Sequence, residues 1–313
     1  MENRSDILLG KRLEKGDTIG IVSPASIETD ENIQFGIKRF EELGFKIKKG
    51  RHIYDKFGYL AGRDEHRAED IVEMFKDREV KMILCIRGGY GSMRLLPYIN
   101  FSIIRKNPKL FIGYSDITVL LNSFYEKEGL ITFHGPMLSS NLHLVDTLES
   151  LLTNVMEGYK EYSIVNPIDK PAISNMDRNA AGEIVGGNLS LICNTLGTPY
   201  EINTRNRILF IEDIEEAPYK IDRMLTQLQL SGKLSECAGI IIGQFTNCEG
   251  EVKKNTFTLE EVLEDRLLGL NKPVLMNIMC GHDNPKLTLP IGAKCRLNCK
   301  NGSIDILEPV CKK

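Results

Sequence analysis

The sequence predicts an α/β fold in which a parallel sheet carries helices on both faces and a second, smaller α/β domain follows. Three observations predict it. Through the first half, short apolar and β-branched runs alternate with amphipathic helical patterns, the rhythm of a doubly wound sheet. From Tyr159 to Gly182 the chain turns polar, carries two prolines and loses helical periodicity, as a crossing between domains does. Beyond it strand-like and helical runs resume, which divides the chain into an amino-terminal domain over residues 1–165 and a carboxyl-terminal domain over residues 166–313.

In order, DTIGIVS reads as a strand and ENIQFGIKRFEELG as the helix after it; FKIKKG and RDEHRAEDIVEMFKD repeat the pair. VKMILCI is an apolar strand, KLFIGY leads into the helical DITVLLNSFYEKEG, and LITFHG precedes VDTLESLLTNVMEG. Gly44 and Gly129 fall directly after helical runs, where a left-handed carboxyl-terminal cap is wanted. In the second domain RILFIE, AGIIIGQF, KPVLMNIM, CRLNC and SIDILE read as strands, and NLSLICNTLG, PYKIDRMLTQLQLSG and TLEEVLEDRLLG as helices. Pro218 suits the first turn of its helix, and Glu215 and Glu216 before it complement the helix dipole.

Composition narrows the function. The 313 residues are 42% hydrophobic and 27% charged with a formal net charge of −3, and Lys and Arg are dispersed. That gives no electrostatic footprint for a nucleic-acid or acidic-membrane partner. The opening MENRSDILLGKRLEKGD has no apolar signal region, and no later run approaches the roughly 20 apolar residues of a membrane span, so a cytosolic location is expected. The eight cysteines are scattered without a C-x-x-C pair and read as reduced, mostly buried thiols. His52, His66, His134, His143 and His282 form neither H-E-x-x-H nor His-x-His, so no metal or other cofactor is expected.

In doubly wound sheets reactive groups gather at the carboxyl ends of strands, and four such places carry polar residues. After VKMILCI, Arg87-Gly88-Gly89-Tyr90-Gly91 places three glycines within four positions. This is either a tight turn or backbone N–H groups aimed at an anion or oxyanion, and it does not match the G-x-G-x-x-G dinucleotide pattern. Cys85 lies inside the apolar run and reads as a core thiol. Ser115, in GYSDI, is a helix N-cap by position and half of a nucleophile elbow by motif, with Gly113 present and Ile117 where the second glycine would be. Glu212 and Asp213 end the strand RILFIE, where an acid could orient a histidine, and periodicity does not choose between them. His282 follows Gly281 directly after a strand. Serine, acid and histidine thus occur in the order found in α/β hydrolases, each at a strand end, and a triad becomes the economical reading.

With IGIVSPAS, YLAGRDEHRAEDI, CIRGGYGSMRLLP, FIGYSDIT, FHGPM, GEIVGGNLSLICNTLGTPYE, LFIEDIEEAPYKIDRMLTQLQLSG and CGHDNPKLTLPIGA, the sequence resembles the LD-carboxypeptidases over nearly its whole length. These are cytosolic serine peptidases of murein recycling, grouped with the microcin C immunity peptidases. The resemblance implies an amino-terminal domain like the class I glutamine-amidotransferase fold and a smaller carboxyl-terminal α/β domain. It also implies Ser115 as nucleophile, Glu212 as acid, His282 as base and backbone amides of Asp116 and Gly89 as the oxyanion hole. It further implies a homodimer, no cofactor, and a murein tetrapeptide substrate that loses its terminal D-alanine.

Two other readings compete. A microcin C-type immunity peptidase would cleave an aminoacyl-nucleotide amide; that subgroup commonly uses a tryptophan platform, and this chain has no tryptophan. A non-catalytic module would bind phosphate or nucleotide on the Gly88–Gly91 loop.

Overall fold

A computed structural model describes residues 7–249 and 256–313; residues 1–6 of the amino-terminal stretch considered above lie outside the described residues. Its strands are β1 (Thr18–Val22), β2 (Lys46–Lys49), β3 (Val80–Cys85), β4 (Leu110–Gly113), β5 (Thr132–His134), β6 (Tyr162–Val165) and β7 (Ile173–Ser174). They continue with β8 (Ala180–Asn188), β9 (Ile208–Ile214), β10 (Gly239–Thr246), β11 (Val274–Met276), β12 (Leu289–Ile291), β13 (Lys294–Asn298) and β14 (Ser303–Ile306).

Among the described residues the strands form two sheets, a six-stranded one in the order β12-β5-β4-β3-β1-β2 and an eight-stranded one in the order β6-β14-β13-β8-β9-β10-β11-β7. The first is parallel from β2 to β5, as the alternating pattern predicts. Its central strands β1, β3 and β4 are apolar and buried, whereas the edge strand β2, KIKK, turns lysines to solvent, which discourages pairing with another chain. Phe111 on β4 packs against Phe124 of the helix Thr118–Glu128 with ring centroids 4.9 Å apart, and against Phe75 of the helix Asp64–Lys76 at 6.0 Å. Truncating one such ring to alanine costs about 3–5 kcal/mol, so this cluster fixes the strand-to-helix turn that holds Ser115.

The helix Thr118–Glu128 is buried along nearly its whole length because it is covered on more than one side. It packs on β4 and β5 of the first sheet and on β8 of the second, and the side chain of Asn122 donates to the Gly186 carbonyl at 2.8 Å while accepting from the Gly186 N–H at 2.9 Å. Gly129 caps its end at φ 75°.

Two elements depart from the sequence reading. The polar stretch taken as a crossing holds β6, β7 and the start of β8, the strand that joins the parallel and antiparallel halves of the second sheet. Glycines hide β8 from propensity, and tertiary contact requires them: a Cβ at Gly186 would lie 2.0 Å from the Phe210 carbonyl oxygen, and one at Gly187 2.6 Å from Thr118 Oγ1.

The division after residue 165 also does not separate the two sheets. β6, on its amino-terminal side, pairs with β14 of the second sheet, and β12, on its carboxyl-terminal side, returns to pair antiparallel with β5 of the first. Local pattern marks a strand but not the sheet it joins, and β12 contains Pro290, which an edge strand tolerates because its outward N–H needs no partner.

Candidate active site

The return of β12 builds the site. The segment from β11 to β12 crosses from the second sheet to the first, and His282 lies on it. Ser115 lies at the end of β4, and both residues line one cleft of about 300 Å³ together with Arg87, Gly88, Gly89 and Tyr114.

Ser115 does not cap a helix with its side chain. Tyr114 is extended, Ser115 itself has φ 62°, and a short 3₁₀ turn, Ser115–Ile117, precedes the helix Thr118–Glu128. A serine held in the left-handed region is strained, as in a nucleophile elbow. The half motif has a physical account: a Cβ at Gly113 would lie 2.7 Å from the side chain of Ile117, so Ile117 folds under the turn into space that Gly113 leaves empty. Gly88 approaches from β3, and a Cβ there would lie 2.8 Å from Ser115 Cβ and 3.0 Å from its Oγ. Only glycine fits so close to the hydroxyl.

The glycine loop is braced on both sides. Tyr90 N–H donates to Ser26 Oγ at 3.1 Å, and Gly89, at φ 114°, packs so tightly on Ser26 that a Cβ would lie 2.4 Å from that oxygen. Ser92 N–H donates to Asp116 Oδ2 at 2.7 Å, and the Ser92 hydroxyl donates to the Asp116 carbonyl. Asp116, read from sequence only for its amide, thus also ties the loop to the serine turn with its buried carboxylate, whose pKa burial raises against the hydrogen bonds from Ser92 and Gly91. Cys85 is fully buried beneath this loop, and burial pushes its thiol far up.

At the end of β9 the adjacent acids face opposite ways. Glu212, fully buried, lies with Oε2 2.7 Å from His282 Nδ1 and with Oε1 3.6 Å from His134 Nε2. Asp213 turns to the second domain and accepts from Asn188 Nδ2 at 2.9 Å, Ser190 N–H at 2.9 Å, Ser190 Oγ at 2.8 Å and Ile214 N–H at 2.9 Å, at the start of the helix Leu189–Thr195. Their pKa values diverge. Burial raises both, but the imidazoles of His134 and His282 outweigh it at Glu212 and hold that carboxyl at about 2, whereas Asp213 stays raised.

A group depressed from its ordinary 4.5 to about 2 adds stability that is fully present above pH 4.5 and is lost as pH falls toward 2. Equilibrium unfolding followed across that window is expected to show a steeper loss for the native chain than for Glu212→Gln; equal slopes would contradict it.

His282 packs edge-on to Tyr114 with ring centroids 5.1 Å apart. Lys286, buried and unremarked in the sequence, clamps the crossing segment by donating to the carbonyls of His282 and Asp283, and its ammonium lies 5.1 Å from the Tyr114 ring centre. Among the described residues one group outside the cleft, His52, Asp55 and His66, converges within 4.8 Å, with the two Nδ1 atoms 3.0 and 3.2 Å from Asp55 Oδ2. Spacing in the sequence did not reveal it because the fold brings a loop and a helix together. No helix among the described residues is long and apolar enough to cross a membrane.

Residues 19–135 match the LD-carboxypeptidase N-terminal domain and residues 181–297 the LD-carboxypeptidase C-terminal domain. A protein of Bacillus subtilis (strain 168) described as a probable murein peptide carboxypeptidase is 44% identical over 92% of this chain and 91% of its own. The chain belongs to the LD-carboxypeptidase family. Its fold is that of this family's solved structures. The microcin self-immunity protein MccF, in complex with glutamyl sulfamoyl guanosine, superposes with a TM-score of 0.89 at 29% identity, covering 97% of this chain and 100% of that one. The muramoyltetrapeptide carboxypeptidase of Oxalobacter formigenes superposes with a TM-score of 0.82 at 30% identity, covering 95% of this chain and 100% of that one. This LD-carboxypeptidase is therefore a serine-type carboxypeptidase, not a non-catalytic binding module.

Proposed function

We propose that this LD-carboxypeptidase releases the terminal D-alanine of murein tetrapeptides by hydrolysing an L,D amide bond. Ser115 is the nucleophile, His282 the general base and Glu212 its orienting acid. The observation that carries the reading is the 2.7 Å contact between His282 Nδ1 and Glu212 Oε2 at a cleft that Ser115 also lines, with Ser115 at φ 62°.

A serine hydroxyl is a weak nucleophile at neutral pH, so His282 removes its proton as it attacks the scissile carbonyl. The buried carboxylate of Glu212 holds the Nδ1–H tautomer and stabilises the imidazolium that forms. Charge then develops on the substrate oxygen, which the amides of Asp116 and Gly89 stabilise from the serine turn and the glycine loop. His282 returns the proton to the leaving amine, D-alanine departs, and water releases the acyl group by the same steps in reverse roles. Arg87 lines the cleft with its side chain 42% exposed, a planar donor suited to a terminal carboxylate.

The 44% identity to a protein described as a probable murein peptide carboxypeptidase and the absence of tryptophan favour the murein substrate over an aminoacyl-nucleotide amide. The family resemblance also supports a cytosolic homodimer.

The test is stereochemical. A terminal D-residue directs its methyl group opposite to an L-residue, and a misplacement of about 1 Å at the reacting carbonyl costs about 10²-fold in rate. Mass spectrometry is expected to show D-alanine released from the free murein tetrapeptide and little L-alanine from the isomer ending in L-alanine. Equal cleavage of the two, or preference for a nucleotidyl amide, would overturn the substrate and leave the hydrolase.

A further inference from the structure

His134 is the last residue of β5 and only 1% exposed. Its ring is held from several sides: Cys280 Sγ lies 3.4 Å from Nδ1, Phe210 packs edge-on at 4.9 Å, and a Cβ at Gly187 would lie 3.2 Å from Cδ2. The remaining edge directs Nε2 toward Glu212 Oε1, 3.6 Å away. Both of those atoms are sealed from solvent, and neither makes a hydrogen bond to any other described residue.

Proton placement follows from chemistry. The Cys280 thiol is fully buried and pushed far up, so it keeps its proton, and its contact with Nδ1 is served by either tautomer because sulfur both donates and accepts. The carboxylate is what selects the other nitrogen: a proton on Nε2 faces the charge of Glu212. At 3.6 Å the contact is longer than a hydrogen bond, yet an N–H dipole aimed at a charge in a dry interior is strongly felt. A lone pair there instead would oppose the charge of a buried, otherwise unpartnered oxygen.

We propose that His134 is a positioning residue: it presents Nε2–H to Glu212 Oε1, which orients the carboxylate so that Oε2 faces His282 and makes the Glu212–His282 pair less ready to take up a proton. This rests on the triad reading above.

The sign of the effect is determined. Removing the dipole leaves the carboxylate charge less stabilised, so the pair binds a proton more readily and its titration moves to higher pH. A full hydrogen-bond donor shifts a carboxylate by about one pH unit, and this longer contact is expected to give less than that. The other titratable or charged groups near Glu212 are Cys280 and Lys286 on the crossing segment, Tyr114 after β4, Cys248 after β10 and Asp213 on its own strand. They are common to every variant below, so a difference between variants reports position 134.

Three substitutions test the role. Gln places its amide nitrogen where the imidazole Nε2 lies, Asn places its amide near Nδ1, and Leu supplies no donor. The ring signals of His282 are followed by NMR on histidine-labelled protein, which needs no substrate, and the acid limb of kcat/KM for D-alanine release is measured alongside. His134→Leu is expected to raise both midpoints, by less than about one unit, and to lower kcat more than it raises KM. His134→Gln is expected to bring the midpoints back toward the native values, and His134→Asn to resemble Leu. A native midpoint in His134→Leu, or full restoration by Asn, would overturn the proposal. Should His134→Leu fail to fold, the contrast between Gln and Asn carries the same decision. Glu212→Gln separates the two readings: native turnover in that variant refutes the triad, whereas loss of turnover there with an unmoved midpoint in His134→Leu refutes only the role of His134.

Discussion

Ser115→Ala is expected to lower turnover by about 10⁴-fold or more while leaving thermal unfolding close to that of the native chain, because in the proposed triad, whose members act as a unit, losing one forfeits nearly all the rate enhancement. The substitution removes one oxygen at the cleft and no core volume. The turn is held by groups that remain: Gly113 beneath Ile117, the Ser92 hydrogen bonds to Asp116, and the packing of Phe111 on Phe124. Binding is expected to survive, since Arg87 and the glycine loop are untouched. Steady-state kinetics with calorimetry check both halves. Turnover within tenfold of native would remove Ser115 from the mechanism, and a large drop in melting temperature would mean the hydroxyl is structural.

Glu212→Gln and Asp213→Asn are expected to fail in different ways although the residues are adjacent. In the proposed triad, Glu212→Gln keeps the shape but removes the charge that would stabilise the imidazolium of His282, and the loss expected for a triad acid is about 10⁴-fold in kcat. Asp213→Asn leaves His282 alone. It places an amide N–H₂ where the carboxylate accepted from Asn188 and Ser190, and an unsatisfied buried group of this kind costs about 1–3 kcal/mol. Its signature is a melting temperature lower by several degrees, roughly 2–4 °C per kcal/mol, with turnover within a few-fold of native. The opposite pattern, a stable but inactive Asp213→Asn beside an active Glu212→Gln, would transfer the acid's role to Asp213.

Much of the first sheet was legible in the sequence because each element announces itself locally. The apolar runs of β3 and β4, the amphipathic helices between strands, and Gly129 at a helix end need no distant partner to be recognised. β8 was not legible. Gly186 and Gly187 lower its strand propensity, and their reason lies in Phe210 and Thr118, remote in sequence. His134 was missed although it meets the criterion that drew attention to His282, a histidine at a strand end beside glycine. Nothing local distinguishes a buried imidazole facing a carboxylate from a core histidine.

By itself the sequence determined which residue types stand at which strand ends: serine after β4, glycines after β3, paired acids closing β9, histidine after β11. Alternation along a strand further required that Glu212 and Asp213 face opposite sides. The tertiary structure alone decided which of these groups meet. β12 leaves the second sheet's part of the chain to pair with β5, and this carries His282 across to the cleft that Ser115 lines. The serine turn is strained because Gly88 and Gly113 admit neighbours to distances no side chain would allow. The physical reason is range. Helical and strand periodicity arise from hydrogen bonds and burial within a few residues, whereas the pairing of β12 with β5 and the dry contact of Glu212 with two histidines join segments far apart in the chain, whose meeting is set by the packing of whole sheets.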